Sequence, residues 1–258
     1  MPCEILPHRF LTLLLNLAKI RSKFKGAKMK KIGLIGGMSY ESTIAYYQLI
    51  NKKINERLGG LNSGEILLSS VNFEHIEECQ RLDKWDEAGE ILAAHARILQ
   101  RGGADAIFIC TNTMYKVYDA VQSAVSVPVV HIATATLKEL KRCDIDKVGL
   151  LGTIYTMSEP FYKDELMRGG VEVITPNADE MKLVNDVIFD ELCHGEISPA
   201  SKQKFLSIIV NLKACGAKGV ILGCTEIGLL VAQKDTDARL FDTTLIHISE
   251  AVNLALAQ

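Results

Sequence analysis

One stretch of eleven residues occurs twice in the chain, and it limits the possible fold more than any other feature. Gly216–Glu226 reads Gly-Ala-Lys-Gly-Val-Ile-Leu-Gly-Cys-Thr-Glu. At an offset of 113 residues, Gly103-Ala104-Asp105-Ala106-Ile107-Phe108-Ile109-Cys110-Thr111-Asn112-Thr113 follows the same plan. Gly103 falls on Gly216, Ile109 on Leu222 and Thr111 on Cys224. A second pair runs at an offset of 116: Lys31-Ile32-Gly33-Leu34-Ile35-Gly36 against Lys147-Val148-Gly149-Leu150-Leu151-Gly152. Short apolar runs that end in glycine or a small polar residue, with a helical pattern beyond, suit buried parallel strands. Two near-equal offsets mean an internal duplication, with two halves facing one substrate.

The intervening sequence agrees. Further strands are expected at 65–71, 127–132 and 171–175, and Arg239-Leu240-Phe241-Asp242 precedes the last helix. Helices are expected from Ser39, a plausible N-cap, to about 57, and at 84–100, 134–141, 179–193, 199–215 and 243–257. Strands alternating with helices imply parallel sheets covered on both faces. The fold class is therefore α/β, as two pseudosymmetric parallel-sheet domains. Residues 29–132 with 243–258 are expected to form one domain, and 133–242 the other. Ligands in such sheets sit beyond the carboxyl ends of the strands, so both corners should meet in the cleft between the halves.

The loop Gly36-Gly37-Met38-Ser39 follows the first strand. It lacks the spacing of a dinucleotide fingerprint or a P-loop. A carboxylate held by helix N-terminal amides suits it better, with the glycines allowing close approach of backbone to ligand.

The formal net charge of −2 implies no nucleic-acid partner. The seven cysteines show no Cys-x-x-Cys pair, which points to reduced thiols in the cytoplasm. The six histidines lack His-x-x-x-His spacing, and no metal is expected. The first 28 residues differ from the rest, with six Lys/Arg against one acid. Their apolar run, Phe10–Ala18, is far shorter than the ~20 residues that span a bilayer. They read as an extension preceding the domain, and no membrane association is expected.

A thiol where a strand gives way to a helix N-terminus favours its thiolate form. No His-Asp pair accompanies Cys224, so acyl transfer is weakly indicated. Two proton-transfer groups on opposite faces of one carbon suit a different reaction, in which one removes a Cα proton and the other returns one, inverting the centre. No motif for a pyridoxal lysine stands out, and no cofactor is expected. Hydrogen bonds aimed at the substrate carboxylate must then hold the carbanion. Asn112, Thr113 and Thr225 carry suitable donors. Glu226 is placed to meet a substrate ammonium or to cap its helix.

These residues resemble the cofactor-independent Asp/Glu racemases. The resemblance runs from Met29 to the C-terminus. It rests on Ile32–Ser39, Cys110-Thr111-Asn112-Thr113, Gly152-Thr153, Phe161-Tyr162-Lys163 and Gly223-Cys224-Thr225-Glu226. It implies two α/β domains, usually in homodimers, and an amino-acid substrate, most directly aspartate or glutamate. It implies two catalytic cysteines, one in Cys-Asn-Thr and one in Gly-Cys-Thr. Cys224 matches the second, and Met38, Ser39 and Lys163 fall at substrate-binding positions. The first cysteine's place is held by Thr111, with Cys110 one residue early. Neighbouring strand residues face opposite ways, so Thr111 is expected at the cleft and Cys110 in the core. The arginine that acid-selective members place after the second strand has Arg81 as its nearest candidate. A broad-specificity or hydantoin racemase, a decarboxylase and a non-catalytic sensor stay open as alternatives.

Overall fold

The structure is a computed structural model, and it describes residues 29–257. The expectations for residues 1–28 lie outside the described residues.

Two parallel sheets form the frame. In the first, β1 (Ile32–Gly36) lies between β2 (Ile66–Ser70) and β3 (Ala106–Ile109). In the second, the order is β5 (Glu172–Ile174), β4 (Lys147–Gly152), β6 (Val220–Gly223) and β7 (Leu240–Asp242). The central strands β1, β3, β4 and β6 are almost wholly buried. That is why they read as unbroken apolar runs rather than as alternating ones.

The duplication is present in the register. Ile35 pairs with Ile109, and Leu151 pairs with Leu222. These are the same rungs displaced by the two sequence offsets. The turns entering β3 and β6 match as well. Gly103 and Gly216 have φ of 85° and 93°, a left-handed region that glycine enters at little cost. Ala104 N donates to Leu99 O at 3.0 Å, and Ala217 N to Leu212 O at 3.1 Å.

Among the described residues, eleven α-helices cover the sheets: α1 (Tyr40–Leu58), α2 (Phe73–Arg81), α3 (Trp85–Arg101), α4 (Tyr118–Ser123), α5 (Ile132–Arg142), α6 (Ile154–Ser158), α7 (Pro160–Arg168), α8 (Ala178–Asp190), α9 (Pro199–Ala214), α10 (Ile227–Leu230) and α11 (Thr243–Ala255). The last returns to the first sheet, where Ile248, Ala251 and Val252 pack with Ile32, Leu34, Tyr46 and Phe108. One hydrophobic cluster runs from Ile35, Ile107 and Ile109 to Val148, Leu150 and Ile221, so the two sheets share a continuous core.

Two expectations change. The strand at 127–132 is a single bridge, Ile107 to Val129. Pro128 has no N–H to extend the ladder and only accepts, from Ile107 N at 2.9 Å. Helix α2 was not anticipated after β2. It buries Ile76, Cys79 and Gln80 on one side of an otherwise polar segment.

Candidate active site

At the first corner, Ser39 caps α1 by accepting from Ser42 N at 3.3 Å. The two glycines before it serve the protein's own packing. A Cβ on Gly36 would meet Thr43, and one on Gly37, at φ 93°, would meet the Val71 carbonyl. Gly37 N donates to Thr43 Oγ1 at 2.8 Å. Close approach of strand, helix and β2 explains the glycines, in place of the expected approach to a ligand.

A carboxylate does sit at the N-terminus of α1, and it is the protein's own. Ser39 Oγ donates to Glu226 Oε1 at 2.7 Å, and Ser39 N to the same atom at 3.4 Å. Thr225 Oγ1 donates to Glu226 Oε2 at 2.7 Å, and the Cys224 thiol donates to that oxygen at 3.0 Å. Glu226 is 2% exposed. Four donors and the positive end of a long helix compensate its burial. Glu226 does not cap α10, since its side chain makes no capping bond.

The expected thiolate at Cys224 is not favoured here. Burial, then the adjacent Glu226 carboxylate and Cys193, push the thiol well above its ordinary range. The helix that follows, α10, has four residues and begins beyond Glu226. Its dipole is small, and the nearest charge is negative. The resting group is a neutral thiol hydrogen-bonded to a carboxylate.

On the facing corner, β3 ends at Ile109. Cys110 is fully buried, with its thiol towards Phe108 O at 4.0 Å, and it packs beside Tyr46 and Ile248. Burial raises its pKa. It is a core residue. Thr111 is partly exposed, and its hydroxyl has no hydrogen-bond partner among the described residues. Asn112 is buried. Its Nδ2 donates to Thr243 Oγ1 at 3.0 Å, which in turn donates to Leu222 O at 2.9 Å. Its Oδ1 is buried without a partner among the described residues. Thr113 Oγ1 meets Thr153 Oγ1 at 2.9 Å.

At the corners the halves touch at three polar points, Ser39–Glu226, Thr113–Thr153 and Thr243–Leu222. Ion pairs also join them, Lys138 Nζ to Glu250 at 2.9 Å and Lys116 Nζ to Glu159 at 2.7 Å. The same ammonium lies 3.8 Å from the Trp85 ring centroid, and Trp85 packs edge-on against Tyr155 at 5.3 Å. Met38 is buried in the shared core. Lys163 Nζ donates to Ser158 O at 2.8 Å across the α6–α7 corner. Arg81 faces solvent, 3.7 Å from Glu77. His194 is exposed in the turn after α8.

Two participants were not singled out as site residues. Thr153 caps α6, accepting from Thr156 N at 3.3 Å as Ser39 accepts from Ser42. It occupies Gly37's place at the 116-residue offset, and that coincidence was the available signal. Thr243 opens the last helix, and no local pattern connects it with Asn112.

Two parallel α/β halves joined at equivalent strand-end corners define a pseudosymmetric two-domain α/β enzyme class. The sequence model described as Asp/Glu/hydantoin racemase matches residues 35–251, and the chain belongs to that family. It is similar to a crystallised candidate Asp/Glu racemase from Yersinia pestis, 48% identical, covering 88% of this chain and 100% of that one, with a TM-score of 0.82. An aspartate racemase homologue from Pyrococcus horikoshii is 37% identical over 88% of this chain and 99% of that one, with a TM-score of 0.76. A broad specificity amino-acid racemase from Bacillus subtilis is 28% identical over 88% of this chain and 98% of its own length. Among the described residues no helix is long and apolar enough to cross a membrane.

Proposed function

We propose that the protein is a PLP-independent racemase of aspartate or glutamate, with Cys224 and the Thr111 corner on opposite faces of Cα. The observation that carries this reading is the equivalence of the two positions. Each lies two residues beyond a matched rung, Ile109 in one sheet and Leu222 in the other.

Cys224 becomes a base by passing its proton to Glu226, the acceptor it already faces. The thiolate then takes the Cα proton, and the Thr111 hydroxyl returns one on the other face. Solvent restores a proton to Thr111, and Glu226 loses one, so the site returns to its starting state. Asn112 Oδ1, a buried acceptor without a partner among the described residues, suits the substrate ammonium. Thr113, Thr153 and Thr225 can turn their hydroxyls to the substrate carboxylate, where negative charge grows as the proton leaves.

The position of Arg81 favours a second reading within the same chemistry. With no arginine turned inward from α2, a side-chain carboxylate has less to bind, and a broader amino-acid range follows. The reading also includes a division into 29–132 with 243–258 and 133–242, a homodimer and a cytoplasmic location. The resemblance and the reduced cysteines support these.

The test is exchange of Cα–H for deuterium across a panel of amino acids. Exchange with aspartate or glutamate alone supports the first reading. Exchange across neutral amino acids supports the second. Binding without exchange overturns both.

A further inference from the structure

Helices α2 and α3 bring together a group that the racemase reading does not use. His75 and Cys79 are four residues apart on α2, and so share one face. A three-residue connection reverses the chain. Asp83 in it has a φ of 55°, and Lys84 N donates back to Cys79 O at 2.8 Å. Helix α3 then starts at Trp85, and its first turn sets Glu87 beside the pair. One ligand atom from each of His75, Cys79 and Glu87 lies within 4.8 Å of the others. His75 Nε2 is 3.2 Å from Glu87 Oε1. Cys79 is buried at the base, while the His75 and Glu87 side chains are about half exposed. The group is thus closed on the protein side and open to water on the other.

We propose that His75, Cys79 and Glu87 form a binding site for a borderline-soft divalent cation of the zinc class, with a fourth position open to solvent. Zinc takes imidazole, thiolate and carboxylate at roughly 2.0–2.3 Å, and three protein ligands with one open position is a known arrangement for it. Ligand atoms in such a tetrahedron lie roughly 3.3–3.8 Å apart. The present separations, all within 4.8 Å, already approach that spacing. On binding, the Cys79 S–H proton leaves to solvent as the metal–sulfur bond forms. Lys84 Nζ, 3.7 Å from Glu87 Oε2, is the internal cation that the metal displaces. In sequence the pair reads only as His-x-x-x-Cys, which has neither the Cys-x-x-Cys nor the His-x-x-x-His spacing of a paired-ligand motif.

The probe is Co2+ alone, titrated into the reduced full-length protein. A thiolate-to-cobalt charge-transfer band should grow to one equivalent, and Zn2+ should remove it. Trp85 is the chain's single tryptophan, and it stands two residues from Glu87, so its fluorescence should be quenched in step with the band. Cys79→Ser should abolish the band. His75→Ala and Glu87→Gln, both at exposed positions, should each weaken Co2+ at least tenfold. Lys84→Gln should tighten it severalfold. A band that survives Cys79→Ser, as binding to other thiols would give, overturns the site. So does affinity unchanged in His75→Ala and Glu87→Gln. Those two variants decide the matter if Cys79→Ser does not fold.

Discussion

Ser39 and Glu226 stand 187 residues apart and are joined across the two halves by a 2.7 Å hydrogen bond. The bond places a buried carboxylate at the N-terminus of α1 and holds it against Cys224. Removing one donor leaves that charge less compensated. Ser39→Ala should therefore cost about 1–3 kcal/mol of stability and lower kcat/KM. Thermal unfolding alongside turnover measures both, and an unchanged Tm would show that solvent replaces the hydroxyl without loss.

Cys224→Ala tests the thiol directly. The side chain is small, and the change deletes one sulfur from a large core, so the fold should survive. Circular dichroism should match the parent, while Cα–H exchange falls to background. Near-normal exchange in the folded variant would remove Cys224 from the chemistry.

The electrostatics of the pair give a third expectation. Burial and the Glu226 carboxylate both push the Cys224 thiol up. Glu226→Gln removes the negative charge, so the thiol should ionise at lower pH. The readout is the pH dependence of alkylation, taken as the difference from Cys224→Ala. Its limb should move to lower pH in Glu226→Gln, and a limb that stays or rises would mean that Glu226 does not set the thiol's acidity.

Much of this arrangement was legible in the sequence because the duplication constrains backbone geometry. Gly103 and Gly216 mark equivalent left-handed turns, and strands of equal length leave both corners at equal depth. That equivalence separated Thr111 from Cys110, and the core position of Cys110 follows from it. The thiol's charge state was not legible. It depends on Glu226 turning back from its own helix towards Ser39, a long-range contact that no spacing encodes. The role of the double glycine was hidden for the same reason, since the groups filling its space come from α1 and from the residue after β2. Helix α2 escaped because it is short and mostly polar, burying Ile76, Cys79 and Gln80.

His247 links the closing helix to the first half. Its Nε2–H donates to Val130 O at 2.9 Å, and its Nδ1 accepts from the Tyr46 hydroxyl at 2.8 Å. Both nitrogens are thus satisfied in the neutral ring, and burial lowers its pKa from an ordinary 6.5 to about 3. A depressed folded-state pKa contributes stability that is present above about 6.5 and lost as pH falls towards about 3, because the unfolded chain takes the proton first. His247→Gln should lower Tm at neutral pH and flatten its decline over that range. A parallel decline in parent and variant would assign the acid sensitivity to other groups, with His131, at about 4, the next candidate.

The two corners are chemically unequal, and the inequality has a kinetic consequence. A racemase has an equilibrium constant of one, so kcat/KM is equal in both directions whatever residues flank Cα. The asymmetry between Cys224 and Thr111 can appear only in kcat and KM separately, and in how readily each enantiomer exchanges its proton. A thiol is far more acidic than an aliphatic hydroxyl, and Cys224 has Glu226 to receive its proton, whereas Thr111 has no partner among the described residues. The enantiomer whose Cα–H faces Cys224 should have the higher kcat and the higher KM, and should exchange deuterium faster. Thr111→Cys should bring the two kcat values together. Cys110→Ala should leave them unchanged and act on stability instead, since that thiol is fully buried among core side chains. Loss of exchange in Cys110→Ala, with Thr111→Ala near normal, would mean that the backbone beyond β3 rotates in the working enzyme and presents Cys110 as the second base.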